Sequence, residues 1–197
     1  MPLAYPVFLE LSGRRAVVIG ALAVAEGKDA ALREAGALVD VYPNGGWKPA
    51  DLNGAFVCVA SSDDSAERDA IGAAARERGV LVNVMDDVAN CDFAAPAVVR
   101  RGDLVIAIST GGRSPAAARK LREELERKYG PEWGRVLELV AEVRTQTLPA
   151  LKDLGTRARR WRSALDLDEA VELVRAGRAD ELRRRLTERL LQEGEVA

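Results

Sequence analysis

The chain has 197 residues, of which 48% are hydrophobic and 30% are charged, the balance of an ordinary soluble globular protein. Its formal net charge of −2 does not indicate nucleic acid or a membrane surface as a partner, and its apolar runs are too short to span a bilayer. Histidine is absent, which excludes histidine metal sites, Ser-His triads and imidazole acid–base catalysis. Any proton transfer must therefore use a carboxylate, lysine, tyrosine or cysteine.

Charge is unevenly distributed between the two halves of the chain. Residues 1–99 have a balance of −6 and residues 100–197 a balance of +4. The basic second half suits an anionic ligand, although solvated helix faces of mixed charge would give the same count. The two cysteines, Cys58 and Cys91, do not suggest a disulfide framework, so we expect a reducing cytoplasm, with Cys58 in the core.

Strands and helices alternate through the first half of the chain. Short apolar runs, typical of buried strands, are separated by segments with helical spacing at 24–35 and 65–77. This alternation predicts an α/β fold with a parallel sheet, in which ligands lie at the carboxyl ends of the strands. The predicted strands span residues 15–20, 38–42, 55–60, 80–84 and 104–109.

From Ser114 onward the pattern is almost entirely helical. Ser114 and Pro115 are typical of a helix start, with serine as the N-cap and proline in the first turn. Gly130 and Pro131 end that helix near Tyr129. Further helices are predicted at about 132–147, 168–176 and 179–192.

A glycine follows the first predicted strand, where dinucleotide-binding folds have the sequence G-x-G-x-x-G/A. Gly20 fits the tight turn and Ala25 the close helix packing, but Leu22 stands at the second position, where a side chain crowds the pyrophosphate. The second strand does not end in an acidic residue, and Asn44 is the nearest polar candidate for a ribose hydroxyl. The predicted cofactor-binding residues are Gly20, Leu22, Ala23, Val24, Asn44 and Gly45.

Two adjacent carboxylates, Asp86 and Asp87, follow the predicted strand at 80–84. At a strand end such residues serve as a general base, a metal ligand or a helix cap. A capping or turn role is the commonest one for an Asp-Asp pair. The absence of histidine nevertheless favours both aspartates as candidates for proton chemistry.

A loop rich in hydroxyls and glycine joins the predicted strand 104–109 to the following helix. Its hydroxyls, its exposed N–H groups and the helix dipole predict an anion site, to which neighbouring basic residues add positive charge. An ordinary capped strand-to-helix connection would have the same sequence. The candidate substrate-binding residues are Ser109, Thr110, Gly111, Gly112, Arg113 and Ser114, and the further basic residues are Arg119, Lys120 and Arg122.

Segments along nearly the whole chain resemble one family. Residues 6–11 (Pro-Val-Phe-Leu-Glu-Leu), 83–86 (Asn-Val-Met-Asp), 91–93 (Cys-Asp-Phe) and 129–132 (Tyr-Gly-Pro-Glu) follow its pattern. The most specific match is Ile-Ala-Ile-Ser-Thr-Gly-Gly-Arg-Ser-Pro-Ala-Ala-Ala-Arg at residues 106–119. The chain thus resembles the precorrin-2 dehydrogenase family, the amino-terminal module of siroheme synthase.

The resemblance implies a Rossmann-like NAD-binding domain at 1–95, a dimerisation segment at 96–130 and a helical carboxyl-terminal domain at 131–197. It also implies NAD-dependent oxidation of the tetrapyrrole precorrin-2 to sirohydrochlorin in siroheme biosynthesis, with ferrochelatase activity in some relatives. By resemblance, Asp86 is the proton acceptor and Thr110 lies in the substrate region. We therefore expect a cytoplasmic homodimer that binds NAD and a tetrapyrrole, without nucleic-acid or membrane partners and without a resident metal.

Two departures separate the chain from the family pattern. Gly20-Ala21-Leu22 stands where the family has three consecutive glycines, and a helix and an edge strand are missing before Trp47. Both departures lie at the predicted nucleotide site. Two alternatives therefore stay open beside a working dehydrogenase. One is a family member that has lost NAD but keeps tetrapyrrole binding or metal insertion, and the other is a non-catalytic dimeric binding protein.

Overall fold

The computed structural model describes residues 5–20 and 22–192, and the side chains of residues 22–26 lie outside that description. The chain divides into two compact units, Met1–Ala95 and Pro96–Ala197. Within the described residues, no helix is both long enough and apolar enough to cross a membrane.

Four parallel strands form the centre of the first unit. They are β1 (Arg15–Ile19), β2 (Leu38–Tyr42), β3 (Val57–Ala60) and β4 (Leu81–Val84), in the order β2-β1-β3-β4. The chain moves outward from β1 to β2 and then crosses β1 to form β3 on its other side. This reversal is the topological switch point of the sheet, the place where open α/β sheets bind their ligands.

Two helices, α1 (Leu22–Glu34) and α2 (Ser65–Glu77), cover opposite faces of this sheet. Because side chains alternate along a strand, Val17 and Ile19 of β1 pack on the α2 side, whereas Ala16 and Val18 pack on the other side with Leu32 of α1. Burial on both faces explains why β1 and β3 have continuous apolar sequences. Cys58 belongs to this core and is fully buried, as predicted.

The connection between β2 and β3 is short. It contains only a 3-10 helix, Pro49–Leu52, whose Leu52 is fully buried. Trp47 and Ala55 flank this helix and pack against the same apolar core as α2. The connection therefore covers the sheet with a few side chains and without a full helix.

The second unit begins with an antiparallel hairpin of β5 (Ala97–Arg101) and β6 (Leu104–Ile108). Its helices are α3 (Pro115–Lys128), α4 (Glu132–Thr147), α5 (Leu154–Ala164), α6 (Leu167–Arg175) and α7 (Ala179–Leu191). The Arg101 guanidinium donates to the carbonyl oxygens of Tyr129 (2.8 Å) and Glu126 (3.1 Å), which ties the hairpin to the end of α3. One apolar cluster joins α4, α6 and α7, and a second joins α4, α5 and α7.

The parallel sheet and the helical second half confirm the predicted fold class, but one strand was misplaced. The predicted strand 104–109 forms the second strand of the hairpin and does not join the parallel sheet. The reason is the tight turn after Arg101, since a parallel pair needs a crossover of about a dozen residues or more. Strand β5 and helix α5 were not predicted.

Two glycines allow the hairpin turn to touch α4 directly. A Cβ atom added to Gly134 would lie 3.2 Å from the carbonyl oxygen of Arg101 and 3.4 Å from the backbone nitrogen of Gly102. A Cβ atom on Gly102 would in turn lie 3.2 Å from the Cα of Gly134. The contact joins backbone to backbone, so neither side can rotate away from an added methyl group.

We therefore expect Gly134→Ala to destabilise the protein by about 1–3 kcal/mol, because overpacking a rigid contact forces the backbone apart. Gly155→Ala, in α5, is the matched control. Its added Cβ would meet only ordinary contacts at 3.5 Å, so it should stabilise the protein by about 0.5 kcal/mol. Urea unfolding of both variants measures the difference, and equal stabilities would contradict the proposed contact.

Candidate functional site

The first strand ends in a turn that requires glycine. Gly20 has a φ of +153°, and a Cβ atom added there would lie 3.1 Å from the carbonyl oxygen of Ser61. Backbone hydrogen bonds fix both residues, from Gly20 N to Tyr42 O at 3.0 Å and from Ser61 N to Ile19 O at 2.8 Å. The backbone of Gly20 is therefore unshielded at the switch point, as a dinucleotide site requires.

A small crevice lies at the carboxyl ends of β1, β3 and β4. Its enclosed volume is close to zero, so binding a dinucleotide there requires the edge of the sheet to open. The crevice is lined by Val18, Ile19, Lys28, Val59, Ala60, Ser61 and Met85.

The loop after β1 leads directly into α1. The helix begins at Leu22, so Leu22, Ala23 and Val24 have helical backbone. Their side chains and the whole of Ala21 lie outside the described residues. Obstruction of the pyrophosphate by Leu22 therefore stays a prediction.

A single carboxylate holds the short connection between β2 and β3. Glu67, in the first turn of α2, accepts hydrogen bonds from Gly45 N and from the Trp47 indole, both at 2.9 Å. The Ser62 hydroxyl donates to the same carboxylate at 2.5 Å. The Gly45 N–H is thus already bonded within the protein, whereas Asn44 is exposed. The turn predicted to bind ribose is therefore attached to α2.

These hydrogen bonds favour the ionised form of Glu67. The bond from Ser62 is the largest cause, and with those from Gly45 and Trp47 it lowers the pKa of Glu67 despite partial burial. A carboxylate whose pKa is lowered on folding stabilises the fold above its unfolded pKa. That contribution is lost as the pH falls through the folded pKa. Glu67 therefore holds the turn at Gly45 and Trp47 at neutral pH and releases it only in acid.

The next residue of α2 joins two other strand ends. Arg68 donates to the carbonyl oxygens of Ser62 (2.9 Å) and Asp63 (3.1 Å), just after β3. It also pairs with Asp87, after β4, at 3.2 Å. Asn90 donates to the same carboxylate at 3.1 Å, and the bonds from Asn90 and Arg68 lower the pKa of Asp87. Asp87 is therefore ionised and has a structural role.

Asp86, the candidate proton acceptor, occupies the turn after β4. Its φ is +60°, a left-handed conformation found at no other described non-glycine residue. Aspartate tolerates this conformation better than most residues do, and such strained positions are common at functional sites. The Asp86 side chain is exposed and has no hydrogen bond or ion pair to any described residue. Of the two adjacent aspartates, Asp86 is the one whose carboxylate is free.

A second set of contacts fixes the turn that contains Asp86. The Asn83 side chain donates to the Phe93 carbonyl at 2.7 Å. The Cys91 thiol lies 3.1 Å from the Val84 carbonyl, and Asn83 and Cys91 form an isolated antiparallel bridge. The segment after the turn is therefore bonded back onto β4. This arrangement gives the Asn-Val-Met-Asp and Cys-Asp-Phe segments a structural explanation.

In the second unit, the loop rich in hydroxyls and glycine closes on itself. The Thr110 hydroxyl donates to Ser114 O at 3.1 Å and accepts from Ser114 N at 3.3 Å. Ser114 Oγ accepts from Ala117 N at 3.1 Å, which makes it the N-cap of α3, as predicted. Gly111 and Gly112 take positive φ values of 62° and 75° to close the loop. The hydroxyls of Thr110 and Ser114 are therefore used within the loop itself.

The outer surface of this loop is open to solvent. Ser109, Gly111, Gly112 and Arg113 are exposed, and the Arg113 guanidinium has no acidic partner among the described residues. Of the other predicted cations, two have acidic partners on α3 itself and Lys120 has none within the described chain. The paired cations are Arg119, with Glu123 at 3.4 Å, and Arg122, with Glu126 at 3.6 Å.

Two family models match successive parts of the chain. Residues 7–97 match the family described as "Putative NAD(P)-binding", and residues 101–128 match "Sirohaem biosynthesis protein central". The chain belongs to the siroheme synthase family. Within it, the chain corresponds to the amino-terminal precorrin-2 dehydrogenase module.

Relatives in the siroheme synthase family align along almost the whole chain. The siroheme synthase of Methylococcus capsulatus is 32% identical over 202 residues, which cover 93% of this chain and 42% of that protein. That of Pseudomonas aeruginosa is 34% identical over 204 residues, which cover 94% and 44%. The chain therefore spans less than half the length of these relatives. The solved structure of SirC, precorrin-2 dehydrogenase, has the same fold, with a TM-score of 0.58, 20% identity, and coverage of 95% of this chain and 98% of that one.

The residues at the sheet edge fit the phosphate end of a dinucleotide. An added Cβ at Gly20 would meet the Ser61 carbonyl, so a side chain is excluded where a phosphate would approach the backbone. The start of α1 follows directly and supplies helix N–H groups. At the adenosine end, Asn44 remains exposed, while the Gly45 N–H is taken by Glu67.

Sequence reasoning missed the polar residues that organise this edge. Glu67, Arg68 and Asn90 were not singled out, although the first two lie in the first turn of the helix that follows β3. Their position in the sequence could have identified Glu67 and Arg68. Asp64 caps α2, and the first turn after this cap lies next to the carboxyl ends of the strands. Some of their partners, such as Trp47 for Glu67 and Asp87 for Arg68, lie 20 and 19 positions away in the sequence and could not be inferred.

We predict that Glu67→Gln loosens the turn at Gly45 and Trp47, because a neutral amide replaces a charged acceptor. The indole N–H resonance of Trp47, followed by proton–nitrogen correlation NMR, should shift in the variant already at neutral pH. In the parent it should shift only in acid, below the unfolded glutamate pKa of about 4.3. Glu77→Gln, at the exposed end of the same helix, is the control and should leave the resonance in place. An unshifted resonance in Glu67→Gln would show that this carboxylate does not hold the turn.

Proposed function

We propose that this chain oxidises precorrin-2 to sirohydrochlorin in siroheme biosynthesis, with NAD as the acceptor. The observation that carries the proposal is the free carboxylate of Asp86. It is held in a left-handed turn at the same edge of the sheet as the unshielded backbone of Gly20. A base and a dinucleotide-type turn at one edge suit an oxidation that removes a hydride and a proton. Membership of the siroheme synthase family supports the choice of substrate.

The proposed NAD site follows the carboxyl ends of β1 and β2. The bound nicotinamide would supply the hydride acceptor for the reaction. Gly20 leaves room for the pyrophosphate beside the backbone, and the first residues of α1 direct their N–H groups toward it. The proposed NAD-binding residues are Gly20, Leu22, Ala23, Val24, Asn44 and Gly45.

Asp86 is the proposed general base. As the macrocycle gives up a hydride, it also loses one proton, and the Asp86 carboxylate accepts that proton. The chain has no histidine to share this task, and neighbouring Asp87 is engaged by Arg68 and Asn90. The hydrogen bonds that fix the turn after β4 leave the Asp86 carboxylate exposed to solvent, where a large substrate can reach it.

The exposed surface of residues 109–114 is the proposed site for substrate carboxylates. Tetrapyrroles of this class carry several carboxylates on a flat macrocycle, so they need several donors. Arg113 supplies a guanidinium that has no acidic partner among the described residues. Gly111 and Gly112 put no side chain over the backbone, although the Gly111 N–H already donates to Ser109 Oγ at 3.2 Å. Because the hydroxyls of Thr110 and Ser114 are used within the loop, we propose that they shape this surface.

A second candidate function is a family member that binds tetrapyrrole, or inserts metal into it, without NAD. One observation favours it, because the Gly45 N–H at the predicted ribose position is already bonded to Glu67. In the described part of the chain, no group of three or more Cys, Asp or Glu side chains is placed to hold a metal ion. The metal-inserting form of this alternative would therefore bind metal mainly through the tetrapyrrole.

We also propose that the chain forms a homodimer through the segment 96–130. No side chain of α3 is fully buried in the described structure, and its Leu121 is 43% exposed. Val98 of the hairpin is likewise 36% exposed. A second copy would cover these apolar side chains. The non-catalytic binding protein that the sequence also allows would use the same interface.

Anaerobic incubation with precorrin-2 and NAD tests the proposed reaction. We expect one NADH for each sirohydrochlorin formed, measured by their separate absorbance bands. Tetrapyrrole binding without NAD reduction would favour the second candidate function. If neither binding nor turnover occurs, the result would favour the non-catalytic dimeric protein.

We predict that Asp86→Asn lowers kcat by about 10²–10⁴, the usual effect of removing a general base. Asparagine also tolerates the left-handed backbone, so the unfolding free energy should stay almost unchanged. Asp87→Asn should show the opposite pattern, with a clear loss of stability and a smaller loss of kcat, because Asp87 binds Arg68 and Asn90. Parental turnover by Asp86→Asn would rule out its role as the base.

A further inference from the structure

Asn90 is a buried polar residue whose side-chain amide is fully hydrogen-bonded. It is only 6% exposed. Its Nδ2 donates to the carboxylates of Asp69 (2.8 Å) and Asp87 (3.1 Å), and its Oδ1 accepts from the Arg76 guanidinium at 3.3 Å. Both hydrogens of Nδ2 are therefore used, and a flipped amide would turn its oxygen toward two carboxylates. These contacts define both the position and the orientation of the amide.

Helix α2 has a glycine where the Asn90 side chain packs against it. A Cβ atom added to Gly72 would overlap Asn90 Oδ1 and would lie 2.9 Å from Asn90 Cγ. Glycine inside a helix is unfavourable relative to alanine, so the space that Gly72 leaves for the amide explains its presence. Asp69 and Arg76 lie three residues before and four residues after Gly72, on the same face of the helix. One face of α2 is therefore shaped to hold Asn90.

Asn90 also holds the last residue of the turn that presents Asp86. The Asp87 N–H donates to the Val84 carbonyl at 3.2 Å, which closes a four-residue turn with Asp86 at its third position. Asp86 has a φ of +60°, and a turn with positive φ at this position favours glycine. The Asn90 N–H donates to the Asp87 carbonyl at 3.1 Å, in addition to the contact with the Asp87 carboxylate. Asn90 therefore binds Asp87 through both its backbone and its side chain.

We propose that Asn90 is a positioning residue for Asp86; this inference rests on the proposed function. A left-handed aspartate persists only where its surroundings fix it, and Asn90 fixes the adjacent Asp87 to α2. A general base must lie within hydrogen-bond reach of the proton that it accepts. Because Asn90 is buried, it acts on the reaction only through the turn that presents Asp86.

Two variants remove this support from the two sides of the contact. Asn90→Ala deletes the amide, and Gly72→Ala displaces it while Asn90 is retained. We expect each to lower kcat about 10- to 100-fold, since a displacement of about 1 Å can cost that much. The KM for precorrin-2 and the Kd for NAD should stay within about twofold, because the support is needed only in the transition state. Gly27→Ala, in α1, is the control and should keep the parental kcat, since its added Cβ would meet no described atom within 4 Å.

An Asp86→Asn background distinguishes positioning from a general structural role. If Asn90 acts through Asp86, adding Asn90→Ala to Asp86→Asn should lower kcat no further, because residues that act as a unit are not additive. An equal fold-loss in both backgrounds would overturn the inference and leave the proposed function intact. Parental kcat in both Asn90→Ala and Gly72→Ala would do the same.

Amide hydrogen exchange at Asp87 tests the turn without any turnover. The Asp87 N–H closes the turn, so it should exchange about 10-fold faster or more in Asn90→Ala and Gly72→Ala than in the parent and in Gly27→Ala. Unchanged exchange would overturn the inference whatever the activity of the variants. A parent that forms no NADH with precorrin-2 would instead overturn the proposed function, and the catalytic role of Asn90 with it, even if exchange at Asp87 responds as expected.

Discussion

The carboxyl edge of the parallel sheet depends on two adjacent side chains in the first turn of α2. Glu67 holds the turn after β2 through Gly45 and Trp47, while Arg68 joins the end of β3 to Asp87 after β4. One helical turn thus sets the position of three strand ends. This arrangement replaces part of the support that a longer connection between β2 and β3 would give, because that connection contains only one short 3-10 helix.

The same contacts separate the roles of two neighbouring carboxylates. The Asp87 carboxylate accepts hydrogen bonds from Arg68 and Asn90, whereas Asp86 is exposed in a left-handed turn. A similar division holds in the second unit, where Ser114 and Thr110 close their loop and leave the outer surface open. In both units, hydroxyls and carboxylates that shape the backbone stand next to groups that are free to bind. Adjacent polar residues in this chain therefore have different functions.

Much of the fold followed from the sequence because local patterns determine it. The ranges of β2, α2 and α4 agree with the predicted residues, since apolar periodicity and helix caps are local signals. Helix α5 was missed because it is rich in arginine and only Ala164 is buried, so it lacks an apolar stripe. The contacts of Glu67 with Trp47 and of Arg68 with Asp87 could not be predicted, because they join residues 20 and 19 positions apart through tertiary structure.

We propose above all that a dinucleotide binds at the switch point between β1 and β3. Amide hydrogen exchange with and without NAD tests it most directly, because bound ligand slows the exchange of the amides it covers. We expect NAD to slow exchange at Gly20, in the first turns of α1 and at Ser61, and to leave α4–α7 unchanged. Protection confined to the helical second unit, or unchanged exchange at saturating NAD, would contradict the account.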